Sequence, residues 1–441
     1  MLFHLTAIQA KRRKVLSYNM VYLNSNMSTF GMKWCFGLIL LSAIFVLVEI
    51  IKHPNCFKIV QRNSTNVVLH ICSRYCPAII NGDEEACQLG NHCQKEDEPE
   101  TFHIQDPVNC IRFKQEYHFI TGSLSEEEAS YPLAYIITIH KEFEMFVKLL
   151  RAIYNPDNVY CIHVDQKSPE DYKRKVKKLT DCFENIFVAS KMEHVVYAGF
   201  SRLQADINCM KDLVTSKVKW KHVINLCGQD FPIKTNREII SHIKSKWQDK
   251  NITPGILQPP NMKYRTEYSY KEHINNAEAY VYRLDKKKAK LPLDISIYFG
   301  TAYYALTRNF VQFILEDARA KALLEWSRDT YSPDEHFWVT MNRLKDAPGA
   351  TPDCTWEGNV RAVKWAPNAG PSPVNCNGHY VHDICVYGLK DLKWIVEQQA
   401  MFANKFEMSS PLTVKCIEKW HRNRTLSQAS GTIQPHWYLE D

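Results

Sequence analysis

Residues 135–165, YIITIHKEFEMFVKLLRAIYNPDNVYCIHVD, decide the fold. YIITIH (135–140) is a short apolar run of the kind that makes a buried strand, FEMFVKLLRAIY (143–154) has helical spacing, and VYCIHVD (159–165) is a second strand. The alternation continues outward. YKRKVKKLTDCF (172–183) reads as a helix, IFVASK (186–191) as a strand, RLQADINCMKDLV (202–214) as a helix and HVINLCGQDFPI (222–233) as a strand. Strands alternating with helices predict an α/β fold, a mostly parallel sheet with helices on both faces. Ligands of such sheets sit at the carboxyl ends of the strands, here His140, Asp165 and the CGQD segment at 227–230. No internal repeat is present, and LDKKKAK (284–290) reads as a solvated loop.

Toward the N-terminus the longest apolar run is WCFGLILLSAIFVLVEII (34–51), about 18 residues and just long enough for a bilayer core. Lys11, Arg12, Arg13, Lys14 and Lys33 precede it with no acidic residue, so residues 1–33 are expected in the cytosol and residues 52–441 outside it. The run lies too far from the N-terminus for a cleaved signal peptide, and Met27 or Met32 would serve equally as the start. Residues 52–125 read as a Cys-rich stem and 126–441 as the main domain. Fifteen cysteines, all but Cys35 between Cys56 and Cys416, predict disulfides in a secretory compartment. Among them Cys87 and Cys93 could pair locally. Sequons at Asn63 and Asn423 fit that compartment, while Asn251 is followed by Ile-Thr-Pro and Asn26 falls in the cytosolic segment.

A net charge of +7, from 55 basic and 48 acidic residues, gives no nucleic-acid footprint. Neither a Walker-type nor a G-x-G-x-x-G phosphate loop is present. The chain has no Asp-x-Asp, and its one Asp-x-Glu, at 83–85, falls in the stem. A metal bridging a sugar nucleotide's diphosphate would call for such a pair, so fixed cations would have to replace it and no metal or cofactor is expected. Individual residues admit two readings. Asp165 either meets a ribose or caps the next helix. In DTYSPDEHFW (329–338), Ser332 reads as an N-cap, Pro333 as the first helical residue and Glu335 as the partner closing a capping box, or else Glu335 is a carboxylate that takes a proton. Lys405 alone is a surface lysine, and Lys364-Trp365 is as suited to core packing as to a sugar platform.

IITIH, YCIHVD, VVYAGFSRLQAD, NLCGQDFPIKTN, SPDEHFW, RAVKW and FANKF, in this order, resemble the core 2 and I-branching β1,6-N-acetylglucosaminyltransferase family from about Cys110 to Pro435. KNITPG and PLTVKC…HRNRTL…IQPHWY are most similar to its I-branching type, and LKDAPGATPD and WEGNVRAVKW to its seventh member. The resemblance implies a GT-A-type domain in the Golgi lumen, anchored as a type II membrane protein. It implies inverting transfer of N-acetylglucosamine from UDP-GlcNAc, without metal, to galactose or N-acetylgalactosamine of glycoprotein or glycolipid glycans. It places the catalytic carboxylate on Glu335 and donor contacts on Thr138, Ile139, His140, Asp165, Gln166, Lys167 and Tyr197. Diphosphate-binding positions fall on Lys405 and on His382, where core 2 enzymes have an arginine. Acceptor contacts fall on Arg265, Glu335 and Trp365, and Met262 replaces a core 2 lysine. The implied disulfides are Cys76–Cys416, Cys110–Cys182, Cys161–Cys209 and Cys376–Cys385, with Cys227 free. Cys56, Cys72, Cys87, Cys93 and Cys354 have no implied pairing. A homodimer is compatible with all this. The rival reading is a catalytically quiet relative that binds glycans or Golgi partners, made credible by His382 and Met262.

Overall fold

The computed structural model describes residues 72–93, 100–275, 278–358, 360–367 and 375–439. The apolar run 34–51, the segment before it, Cys56 and Asn63 lie outside the described residues. Among the described residues no helix is long and apolar enough to cross a membrane.

The central sheet has five strands in the order β3-β2-β1-β4-β10: Ile186–Val188, Val159–Val164, Leu133–Ile139, His222–Cys227 and Ala305–Thr307. The first four run parallel and β10 closes the edge antiparallel to β4. β1 is LAYIITI, and its alternate residues serve two different cores. Tyr135, Ile137 and Ile139 join one, with Tyr160, Ile162 and Val164 of β2, under helix α3 (Phe143–Ile153). Ala134 and Ile136 join the other, with Val159 and Cys161, against helix α5 (Phe200–Val214). A strand buried on both faces leaves no position for a charge, which is why the sequence reads as an uninterrupted apolar run. Tyr135 and Tyr160 stack at 5.3 Å across the β1–β2 pair, and the Cys161–Cys209 disulfide fixes α5 to β2.

Strand order reverses direction between β1 and β4, so the crevice opens beyond Ile139, Val164 and Cys227. A second sheet completes the crevice wall: β11 (Arg361–Val363), β14 (Phe402–Asn404) and β5 (Asp230–Pro232). The buried Arg361–Asp230 pair, 2.9 Å, joins β11 to β5.

The segment read as stem is, in its described part, folded onto this domain. Helices α1 (Cys76–Ile80) and α2 (Glu84–Cys93) pack beside the C-terminal helix α7 (Pro411–Ser427), and the compact unit runs from Leu69 to Asp441. Packing therefore changes well before residue 126, because disulfides supply what periodicity does not. Cys76 bonds Cys416 and Cys110 bonds Cys182. Cys93 pairs with Cys72, not with Cys87, which stays free and buried. Cys227 and Cys354 are also free. LDKKKAK is solvent-facing as expected, but only its last three residues are loop. Strand β8 (Ala279–Lys287) takes its first four residues, and the Lys288 ammonium is buried in an ion pair with Asp329.

Candidate active site

Three groups of residues meet at the crevice. The first comes from the strand ends. Ile139 is buried, and the Thr138 hydroxyl is buried without a hydrogen-bond partner. Asp165 follows β2 and holds Lys167 twice, through the backbone N–H at 2.9 Å and the ammonium at 2.8 Å. Its local role is thus to fold the Asp165–Lys167 turn, with Gln166 N–H donating to Glu193 O at 2.9 Å. Ser168 donates to His140 O at 3.0 Å, and burial followed by the nearby Lys141 holds the His140 imidazole below its ordinary pKa.

The second group is a hairpin, β12 (His379–Val381) and β13 (Ile384–Val386), closed by the Cys376–Cys385 disulfide. His382 and Asp383 form its two-residue turn, both at positive φ (50° and 61°), the geometry of a type I′ hairpin. Trp365 forms a β-bridge with Ile384 on the same hairpin. Lys405 is no surface lysine: it is buried, its ammonium donates to Val381 O at 2.9 Å, and burial lowers its pKa. Glu407, also buried, accepts from Gln229 and sits 3.6 Å from Lys141. Lys141 is thus a further cation at this wall.

The third group surrounds Glu335 on helix α6 (Asp334–Asn342). The expected capping box is absent. Ser332 has φ of 45°, its N–H donates to Ala198 O at 2.8 Å, and no side chain caps the helix. The chain enters α6 through a left-handed residue tied to the loop before α5, so the Ser332 side chain is not placed to cap. Glu335 instead forms an ion pair with Arg265, seventy residues away. The guanidinium is boxed by three rings, with Phe299 at 5.1 Å, Tyr331 at 5.3 Å and Tyr264 at 5.9 Å. Burial raises the Glu335 pKa and Arg265 offsets part of that rise. A helix N-terminus favours the ionised form, and desolvation outweighs it here. Beneath it, burial pushes Asp334 up to about 7 against the pull of Arg202, whose guanidinium is paired with Asp206 at 2.5 Å.

Tyr197 connects the groups. Exposed to 66%, it stacks its ring on His382 at 5.4 Å and 17°, while partial desolvation of its hydroxyl, followed by Glu335, Tyr331 and Asp334, raises its pKa. The structure therefore brings Glu335, Arg265, Tyr197, His382, Lys405 and Trp365 around one crevice with the strand ends. Met262 ends the turn Pro260–Met262 just before Arg265, its carbonyl accepting from Gln258. Sequence reasoning did not single out Lys141, Arg202, Asp334 or Glu407. The Arg202–Asp206 spacing of four on a helix was the one signal available.

Other candidate positions lie apart. The one group among the described residues with metal-like spacing is Cys376, Cys385 and Asp391. Its sulfurs are bonded to each other and Asp391 is held by Lys364 at 2.8 Å, so it offers no ligand set. A 450 Å³ cleft between residues 101–105 and helix α4 (Glu170–Thr180) is lined by Arg174, Lys175 and Lys178 but holds none of the residues above. Asn423 is exposed on α7, yet the Thr425 hydroxyl of its sequon is buried, so this sequon is not the surface loop expected. Asn251 is fully buried, its side chain holding Asn342 at 2.9 Å.

A doubly wound sheet with cations, aromatics and a half-buried carboxylate gathered at its reversal point defines an α/β enzyme with its site beyond the strand ends. The chain belongs to the core-2/I-branching enzyme family, whose pattern matches residues 133–396. It is 50% identical, over 92% of its length and 95% of the relative's, to a Sus scrofa protein named probable β-1,3-galactosyl-O-glycosyl-glycoprotein β-1,6-N-acetylglucosaminyltransferase 7. It is 54% identical to the Homo sapiens N-acetyllactosaminide β-1,6-N-acetylglucosaminyl-transferase, over 76% of this chain and 83% of that one. Among solved structures, mouse xyloside xylosyltransferase 1 aligns with a TM-score of 0.27 at 12% identity, over 52% of this chain and 88% of its own. That likeness is too slight to argue from.

Proposed function

We propose that this chain transfers N-acetylglucosamine from UDP-GlcNAc in β1,6 linkage to a galactose or N-acetylgalactosamine of a glycoprotein or glycolipid glycan, with inversion and without a metal. The observation that carries this is the Glu335–Arg265 pair, a half-buried carboxylate of raised pKa whose partner guanidinium sits in an aromatic box at the crevice. Glu335 takes the proton of the acceptor's C6 hydroxyl as its oxygen bonds to the anomeric carbon. The bond from that carbon to the diphosphate oxygen breaks, and UDP leaves with the electron pair. One base suffices for this displacement, whereas glycoside hydrolysis needs a second carboxyl as acid. A base of raised pKa is the stronger proton acceptor. Arg265 orients the acceptor hydroxyl along with Glu335.

Lys405 and Lys141, with His382 when protonated, are the charges available to the leaving diphosphate. Thr138, Ile139, His140, Asp165, Gln166 and Lys167 form the nucleoside side of the site, with Tyr197 across it. The reading includes a GT-A-type domain, residence in the Golgi membrane as a type II protein with residues 52–441 in the lumen, and no cofactor.

The test is a UDP-release and transfer assay of the full-length chain with a panel of galactose- and N-acetylgalactosamine-terminated acceptors, in excess EDTA and with added Mn²⁺. Equal transfer in both conditions is expected, and Glu335→Gln should lower turnover by about 10² to 10⁴ while retaining UDP binding. Activity restored only by Mn²⁺, or near-full turnover in Glu335→Gln, would overturn the mechanism.

A further inference from the structure

The aromatic box around Arg265 continues, on one side, into a residue that the proposed reaction does not use. Within the box Tyr331 is backed by Tyr270 of strand β7 (Tyr268–Ile274), ring to ring at 5.2 Å. Phe299 has three different neighbours. The Arg265 guanidinium lies over it at 5.1 Å, and the ring of His336, the residue after Glu335 on α6, is 5.6 Å away. The third is Trp356, whose indole makes a T-shaped contact with it at 6.1 Å and 79°. Trp356 is therefore a single ring removed both from the guanidinium and from the residue beside the base.

Trp356 is also 45% exposed, and the backbone on either side of it is fixed. Thr355 O accepts from Gly255 N–H at 2.9 Å, which ties the segment to strand β6 (Gly255–Leu257). That strand pairs with β9 (Tyr298–Gly300), the carrier of Phe299. On the other side Gly358 has φ of 75° and sits so close to Ile252 and Trp247 that a Cβ would meet them at 2.4 and 2.8 Å. The indole is thus pinned through its own main chain, with its edge contact on Phe299 and much of its surface in water. It offers a broad apolar face and one N–H donor, which suits the C–H face of a pyranose and a hydroxyl at its rim.

We infer that Trp356 is a specificity-determining residue for the acceptor, its indole stacking on the sugar joined to the one that receives N-acetylglucosamine. The inference rests on the proposed glycosyl transfer. Glu335 and Arg265 take the reactive hydroxyl, and Phe299 fills the space between them and the indole, so what reaches Trp356 is the next sugar along. The platform touches neither the reacting hydroxyl nor the donor. An interaction made equally before and during the reaction lowers KM and leaves kcat unchanged.

The experiment measures transfer by full-length wild type, Trp356→Phe and Trp356→Ala to two acceptors, a simple glycoside of the reactive sugar and a disaccharide that carries the same sugar. In wild type the disaccharide should have the lower KM. Trp356→Ala should raise that KM about tenfold, and Trp356→Phe, which keeps an aromatic face, should restore most of the loss. The KM of the simple glycoside, the KM of UDP-GlcNAc and every kcat should stay as in wild type. Equal KM for the two acceptors in wild type, a disaccharide KM untouched by Trp356→Ala, or a loss shared by both acceptors would overturn the inference and leave the proposed function standing. Transfer to neither acceptor by wild type would overturn the proposed function, and this inference with it. Sedimentation that shows a wild-type dimer made monomeric by Trp356→Ala would assign the indole to a second copy of the chain and overturn the inference alone.

Discussion

At the scale of single residues, the balance around Glu335 sets the acidic limb of activity. Burial raises its pKa and Arg265 lowers it. A carboxylate must be ionised to act as base, so turnover should fall as pH drops through a midpoint above the ordinary carboxylate value. Removing the guanidinium with Arg265→Gln leaves burial unopposed, so that midpoint should move to higher pH, alongside a rise in acceptor KM. An unchanged limb in a pH–rate profile of the variant would mean another group sets it. The hairpin turn gives a second case. His382 lies against Tyr197 beside the hairpin carbonyl that Lys405 holds, and an arginine there would carry charge at every physiological pH. His382→Arg should tighten UDP binding measured by calorimetry, and unchanged affinity would remove residue 382 from the diphosphate site. The positive φ at 382 costs a non-glycine side chain little more in one case than in the other, so folding should not differ much. Neither pairing could be read from the chain. Arg265 and Glu335 are seventy residues apart, and S-x-x-E looked like a capping box until the strained backbone at Ser332 removed its cap.

At the scale of elements, period decided what was legible. β1, β2 and β4 were readable because strands buried on both faces must be apolar throughout, and α3 and α5 because one stripe of each meets the sheet. The short strands were not. β6 (Gly255–Leu257) and β9 (Tyr298–Gly300) pair antiparallel over three residues, too few for a periodic signal. Their contact depends on two glycines. A methyl on Gly300 would meet Pro254 O at 2.1 Å, and one on Gly255 would meet Phe299 O at 2.5 Å. Both obstacles are backbone, so the strands would have to separate. β9 carries Phe299, which lies on Arg265, and Tyr298, whose carbonyl hydrogen-bonds His336 on α6 at 2.9 Å. Gly300→Ala should therefore cost about 1–3 kcal/mol, typical of overpacking, and should raise acceptor KM more than donor Kd. A thermal melt with UDP titration separates the two effects, and equal losses of both affinities would place the damage in the whole fold.

At the scale of the molecule, the first described helices and the C-terminal helix are joined behind the site. Cys76 on α1 bonds Cys416 on α7, closing 340 residues. Helix α7 in turn carries Glu418, buried between Arg151 at 2.7 Å and Lys148 at 3.4 Å on α3. These two cations hold Glu418 below the usual carboxylate range in spite of its burial. The N-terminal helices, α7 and α3 thus form one block behind the sheet, with the crevice in front. The block was only partly legible. Its Cys76–Cys416 disulfide was implied by the resemblance, but Cys72–Cys93 was not, and the 76–93 helices carry too short an apolar stripe to be told from a stem. Cys76→Ser releases the N-terminal helices without touching any crevice residue. The loop is long, but other disulfides already restrain the unfolded chain, so the loss should be about 2–5 kcal/mol. A melt of the variant should show a lower Tm, and the difference from wild type should vanish when both are reduced. Below the transition, UDP affinity should equal that of wild type, since Lys405 and the strand ends are held by β14, β5 and β1. A weakened UDP affinity in the folded variant would show that the block behind the sheet also sets the geometry of the crevice.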